Sequence, residues 1–220
     1  MTLLSVELCV WNNDFAIPYP TFYHPSMDVE VSEWPERMRK QRRMHLFTFL
    51  GGPRPETQLT IRGEIIRQCV ASRGNCNWVN CSSDSDNCNN PANVMKVFQR
   101  SVFCLQPGAA YLQYLWHLPK NYSCYSVFIP MDNTMKVNIG SVLVQIPEHD
   151  ILAMREEVIR LIPGIVYADP RSSERTFKDA FDVTVKRVLE QVGHTREVVA
   201  AGGDPSIGFV EQNHHKFVLP

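Results

Sequence analysis

The sequence predicts a layered α/β fold, in which short buried strands alternate with amphipathic helices around a parallel sheet. Three features predict it. The apolar run Met44–Leu50 stops at Gly51-Gly52-Pro53-Arg54. Behind it Leu59, Ile61, Ile65, Ile66, Cys69 and Val70 recur mostly at three- and four-residue spacings. Short apolar runs then return at Ser101–Leu105 and Tyr125–Ile129. Strand, glycine turn and helix in that order open a βαβ unit.

Each element follows from its local residues. From Ile17 to Pro25 the prolines hold their predecessors in extended geometry, so this stretch reads as a connector. The basic run Arg37–Arg43 reads as a solvated segment ahead of the first buried strand. A nuclear signal or nucleic-acid patch is the competing reading of such a run. It sits badly in a chain of 22 Lys and Arg against 23 Asp and Glu, net charge -1. Glu56–Ser72 reads as helix. The polar stretch around Cys69–Cys88 reads as a loop, Asn93–Arg100 as a short helix, and Ser101–Leu105 as a buried strand ending at Pro107. Tyr125–Ile129 reads as another strand, closed by Pro130. Ile151–Ile162 and Thr176–Val192 carry the helical period, and from Gly202 onward no period remains.

The 220 residues, 44% apolar and 20% charged, suffice for one large domain with a true core. No stretch approaches the roughly 20 apolar residues of a membrane span, and Met1–Trp11 lacks the basic start of a signal. The cysteines point elsewhere. Seven are many for a reducing compartment, and Cys69, Cys76, Cys81 and Cys88 crowd one polar stretch, which favours an oxidising lumen. The acceptor triplets at Asn80 and Asn121 agree. A luminal composition without a signal leads to the expectation of a longer amino end.

Several groupings carry possible chemistry. The turn Gly51-Gly52-Pro53-Arg54 lies where a doubly wound sheet places its ligand, beyond a strand and before a helix. Its glycines would let backbone amides approach a diphosphate, with Arg54 forking onto phosphate oxygens. The plain alternative is an ordinary strand-to-helix turn with a solvated arginine. The four clustered cysteines suit disulfides better than zinc, whose ligand pairs usually sit two to four residues apart; three pairings are possible. Cys9, Cys104 and Cys124 read as apolar fillers or free thiols. Asp84-Ser85-Asp86 has the form of a metal-holding carboxylate pair, but it lies in a polar stretch rather than after a buried strand and reads as solvated loop. His24 and His117 stand beside aromatic and proline-rich turns as acid or base candidates, against the commoner structural role of a lone histidine. His214-His215 lacks further ligands.

Taken in order, Ile17-Pro18-Tyr19-Pro20-Thr21, the run Arg43 to Arg54, Ile61-Arg62, Val94-Met95 with Phe98-Gln99, and Phe103-Cys104-Leu105-Gln106-Pro107 form a distinctive series. It resembles the exostosin-like glycosyltransferase family 47. Later blocks, among them Trp116-His117-Leu118-Pro119-Lys120, Met154-Arg155-Glu156-Glu157 and Tyr167-Ala168-Asp169-Pro170, resemble the plant branch of xyloglucan galactosyltransferases. The resemblance implies a Rossmann-like, nucleotide-sugar-binding half of a GT-B enzyme, anchored in the Golgi membrane as a type II protein and facing the lumen. It also implies transfer of galactose or a related sugar from a UDP-sugar to a cell-wall polysaccharide, with inversion and without a metal or other cofactor. Gly51, Gly52 and Arg54 would lie at the donor diphosphate; no catalytic residue is indicated. Residues 1–36 would be a connector and the remainder of the first domain, 37–195 the donor-binding domain, and 196–220 a loose tail. Partners would be the donor, the polysaccharide acceptor and other Golgi transferases, with no nucleic acid. One departure stands out. The family continues past its Leu-Gln-Pro with a further helix and strand bearing an arginine pair and an acidic residue. Here Pro107 passes straight to Gly108-Ala109-Ala110-Tyr111, so roughly 25 residues, about one helix and one strand, are absent. That loss opens the alternative of a non-catalytic remnant or a carbohydrate-binding partner of such an enzyme.

Overall fold

The structure is a computed structural model, and it describes residues 3–5, 14–53, 60–81, 86–106, 114, 116–119, 121–130, 137–172 and 175–204. In chain order these form β1 (Leu3–Ser5), β2 (Asp14–Ala16), α1 (Asp28–Lys40), β3 (His45–Leu50), α2 (Ile61–Ala71) and β4 (Cys76–Val79). Then come the short α3 (Asp86–Asn89), α4 (Pro91–Phe98), β5 (Ser101–Cys104), a 3-10 turn at Tyr122–Cys124, α5 (Ile139–Val144), α6 (Glu148–Ile165) and α7 (Ala180–Ala200). They fall into two compact units. One comprises Met27–Ala110 and Asn121–Arg160, the other Met1–Ser26, Tyr111–Lys120 and Leu161–Pro220.

The first of these units is built on β3. It pairs in parallel with β4 on one side and β5 on the other, with Phe47 opposite Cys76 and Phe103. Three successive residues, Phe47, Thr48 and Phe49, are almost fully buried, the pattern of a parallel strand covered on both faces. Phe47 and Phe49 join Ile65 and Cys69 of α2, Cys76, and Ile139 and Leu143 of α5 in the core. Thr48, pointing the other way by strand alternation, meets the Ser101 hydroxyl in a buried hydrogen bond. Thr60 starts α2 by accepting from the Gly63 amide at 3.0 Å. The return to β4 runs through Arg73 and Gly74 at φ 51 and 97, a left-handed turn that favours glycine.

A buried polar network fastens α2 to the entry of α5. Glu64, 5% exposed, accepts a fork from Arg67 at 2.7 and 2.6 Å and a bond from Gln68 at 2.8 Å. Gln68 in turn accepts from the Ile139 amide at 2.8 Å and donates to the Val137 carbonyl at 3.1 Å. The Arg67 guanidinium, more than burial, sets the sign of the effect and holds the Glu64 carboxyl below its usual range.

Five expectations change. The basic run is not wholly a solvated lead-in, because α1 extends through Lys40 and two of its cations are engaged. Arg39 forks onto Glu156 at 2.9 and 2.7 Å, and Arg43 donates to the Gln99 and Met38 carbonyls at the ends of α4 and α1. The expected division at residue 36 therefore falls inside α1; the units divide at 26/27 instead. The cysteine stretch is not all loop, since Cys76–Val79 is pulled into the sheet by β3. Tyr125–Ile129 is not a strand: it has no ladder partner among the described residues, and Val127 and Ile129 instead pack on the core as irregular chain. The loose tail expected from residue 196 does not begin there, because α7 continues to Ala200.

In the other unit β1 and β2 pair in parallel, Leu3 opposite Asp14, and Phe15 stacks on Trp116 with ring centroids 4.1 Å apart. Asp179 caps α7, accepting from Asp182 N–H at 2.9 Å, while its other oxygen accepts from Ala168 N–H at 2.9 Å. No helix among the described residues is long and apolar enough to cross a membrane.

The clustered cysteines stand in two pairs at disulfide distance, Cys69–Cys76 and Cys81–Cys88, with Cα separations of 5.0 and 5.6 Å. Each spans seven positions, a loop whose closure restricts the unfolded chain by about 2.5 kcal/mol. Urea unfolding of Cys69→Ser/Cys76→Ser should therefore show a loss of about 2–3 kcal/mol. Acid should also destabilise the fold through Glu64. Its depressed carboxyl contributes stability above the unfolded value of about 4.3, and that contribution is lost as pH falls through the lower folded value. Glu64→Gln should flatten the stability–pH slope below about pH 5 in the same urea measurement.

Candidate functional site

The parallel ladders bring three strand ends together. The ladder reaches Gly51, whose amide donates to Val79 O at 3.1 Å, and on the other side Leu105 N–H donates to Thr48 O at 2.9 Å. Along the chain β3 leads to β4 on one side, while the next crossover reaches β5 on the other, giving the order β4-β3-β5. In open α/β sheets such a change of direction beside the central strand opens a crevice outside the carboxyl ends, and ligands settle there. Gly51 and Gly52 leave β3 at that place.

The two glycines do different things. Gly51 is buried, its amide is used by β4, and its carbonyl accepts from the Trp78 indole N–H at 2.9 Å. A Cβ on Gly51 would stand 2.8 Å from Cζ of Phe49, itself 1% exposed. Gly51 is thus a steric requirement of the core beneath the site, and its amide is not available to a phosphate. Gly52 is half-buried and comes next along the chain. Arg54 lies outside the described residues. Trp78, in the stretch expected to be loop, is the side chain that orients the exit of β3, and four residues among polar neighbours carry no local signal of it.

The remaining candidates separate by environment. His117 is 7% exposed, with Nε2 3.2 Å from Ala180 O and 3.3 Å from Thr184 Oγ1, and desolvation holds its pKa below the ordinary value. It is a core histidine. His24 is exposed, and its Nδ1 sits 2.9 Å from Tyr167 O, where it pins the connector. Asp84 and the side chain of Asp86 lie outside the described residues, as do Cys9, Pro107, His214 and His215. Among the described residues no cluster of His, Cys, Asp or Glu has the makings of a metal site. Cys104 and Cys124 are free thiols; Cys104 is exposed, yet partial desolvation of its sulfur pushes the thiol up to about 11. Asn80 is exposed beside Cys81. Asn121 Oδ1 accepts from the Ser123 amide and hydroxyl at 3.3 and 2.7 Å.

Comparison with known proteins bears on this arrangement. The exostosin GT47 domain matches residues 2–112, the segment that carries β3, the glycine pair and β5. The chain belongs to the exostosin GT47 family. Xyloglucan galactosyltransferase MUR3 of Arabidopsis thaliana is 44% identical over 247 residues, covering 100% of this chain and 40% of MUR3. A probable xyloglucan galactosyltransferase, GT12, of the same plant is 40% identical over 96% of the chain and 47% of its own length. Xyloglucan galactosyltransferase XLT2 is 36% identical over 87% of the chain and 42% of its own length. The chain thus spans less than half the length of these GT47 relatives. No solved structure matches. The MUR3 alignment runs over 247 residues against 220 here, so at least 27 of its positions (247 less 220) have no residue of this chain opposite them. The GT47 match itself ends five positions past Pro107.

The steric role of Gly51 has a direct consequence. Gly51→Ala should cost about 1–3 kcal/mol by forcing the Phe49 ring out of its packing, a drop read by urea or thermal unfolding. Gly52→Ala should be milder.

Proposed function

We propose that this chain is the donor-binding part of a glycosyltransferase that passes galactose or a related sugar from a UDP-sugar to a cell-wall polysaccharide such as xyloglucan. The observation that carries the reading is the parallel β4-β3-β5 order with Gly51-Gly52 at the carboxyl end of its central strand, in a GT47 chain. That order is the beginning of a doubly wound sheet, and it supports a Rossmann-like half of a GT-B enzyme. In this reading the diphosphate sits outside β3 and β5, Gly52 rather than Gly51 offers the close backbone approach, and Arg54 supplies the charged fork. Neither a metal nor another cofactor is assigned. The enzyme works on the luminal side of the Golgi membrane, and the polysaccharide acceptor is its second partner.

A second reading, a carbohydrate-binding partner without catalysis, is favoured by two observations. Among the described residues Tyr125–Ile129 joins no sheet, and the MUR3 alignment leaves at least 27 positions without a counterpart (247 less 220). A helix and strand absent after Pro107 would leave β5 without its outer neighbour and the donor without the cations and acid that the family places there. The discriminating experiment is titration of UDP-galactose, and assay of galactose transfer to xyloglucan oligosaccharides, for this chain and for one with the segment restored. Restoration should tighten UDP-galactose at least about tenfold, the value of one charge-assisted contact. Tight binding with turnover by the 220-residue chain would exclude the non-catalytic reading. In the restored protein Arg54→Ala should weaken UDP-galactose by about tenfold or more, and Arg37→Ala, on the exposed face of α1, by less than about twofold.

A further inference from the structure

The connector Ile17–Pro25 holds five polar or structural anchors around an exposed aromatic crest. The Tyr167 hydroxyl donates to Pro18 O at 2.8 Å, and the Tyr19 backbone hydrogen-bonds the Tyr114 phenol. His24 Nδ1 meets Tyr167 O at 2.9 Å, Asp169 N–H donates to Pro25 O at 3.1 Å, and the Ser172 hydroxyl donates to Ser26 O. All of these contacts lie within one unit. Pro18 and Pro25 are buried, while every residue from Tyr19 to Phe22 is exposed. Phe22 is 83% exposed and Tyr19 47%.

A ring that open to water is unfavourable unless something covers it, and here the backbone under it is immobilised by two prolines and a hydrogen bond at each end. Such a crest loses little freedom when a ligand arrives. Its chemistry selects the ligand. Ile17–Tyr23 contains no charged residue, so it offers nothing to nucleic acid, an acidic peptide or an anionic membrane. Its exposed aromatic residues flank Thr21, whose hydroxyl donates to Tyr23 O at 3.0 Å and keeps its lone pairs to accept, the combination suited to a sugar ring, whose C–H faces lie against the electron-rich aromatic face while its hydroxyls donate to polar neighbours.

We infer that Tyr19 and Phe22 form a stacking platform for a neutral polysaccharide, the acceptor chain, separate from the glycine turn of β3. The inference rests on the transferase reading only for the identity of the polymer. Native electrophoresis of the full 220-residue chain through gels containing xyloglucan tests it, with melting curves and UDP-galactose titration on the same preparations. The chain should be retarded by xyloglucan. Phe22→Ala should weaken that retardation at least about fivefold, Tyr19→Ala should weaken it less, and Phe22→Trp should keep it. Melting temperatures should stay unchanged, since the Phe22 ring contributes little to the core. Equal retardation of wild type and Phe22→Ala, or none for wild type, would overturn the platform. So would a shift from dimer to monomer on Phe22→Ala without loss of polysaccharide binding, which would mark a self-association surface. Loss of retardation on Phe22→Ala with no UDP-galactose binding by the segment-restored protein would uphold the platform and sink the transferase reading. The reverse pair of results would do the opposite.

Discussion

Burial of β3 on both faces is the constraint on which the sheet-bearing unit depends. Phe47 and Phe49 fill the space between α2 and α5, while Thr48 faces the other way into a hydroxyl pair with Ser101. A central parallel strand has no solvated face, so each of its neighbours must supply cover as well as hydrogen bonds. The Arg67–Glu64–Gln68 network carries out this task at one place: a buried carboxylate is tolerable because two side chains satisfy it, and Gln68 passes the restraint on to the Ile139 amide.

The candidate site inherits its shape from that strand. Gly51 continues the ladder, lies against the Phe49 ring and lends its carbonyl to Trp78, so the exit of β3 toward the candidate site is set by core packing. A glycine can thus matter at a phosphate-type turn without touching phosphate. What a side chain there would disrupt is the ring beneath it. Of the two cysteine pairs, Cys81–Cys88 lies at this end of the sheet, holding the residues after β4 to α3, whereas Cys69–Cys76 joins the end of α2 to the start of β4 at the opposite end. They restrain a stretch with few apolar side chains to bury.

The far edge is different in kind. β5 meets β3 through a good ladder, but no strand lies beyond it among the described residues, and Tyr125–Ile129 packs its apolar side chains without joining. Hydrophobic contact is non-directional and survives displacement, whereas a ladder needs register and a neighbour at the right distance. A chain lacking a helix and a strand at this place would keep the first and lose the second.

Much was legible before any coordinates. The run Met44–Leu50, the glycine pair and the three- and four-residue spacing behind it give strand, turn and helix because periodicity and glycine act locally. The family motifs named the kind of protein for the same reason: they are contiguous. Other features had no local signal. Cys76–Val79 sits among polar residues and becomes a strand only because β3 offers it a partner. Arg39 and Arg43 look like a solvated run until Glu156 and the Gln99 carbonyl come within reach. His117 carries no mark of burial in its neighbours; Ala180 and Thr184 enclose it from more than sixty positions away. By itself, then, the sequence determined the class of fold, the place of the glycine turn and the family, all of which are encoded in neighbouring residues. Which strand pairs with which, which charge is satisfied, and which glycine is tied into the ladder were decided by contacts between residues far apart in the chain, whose energies no local pattern contains.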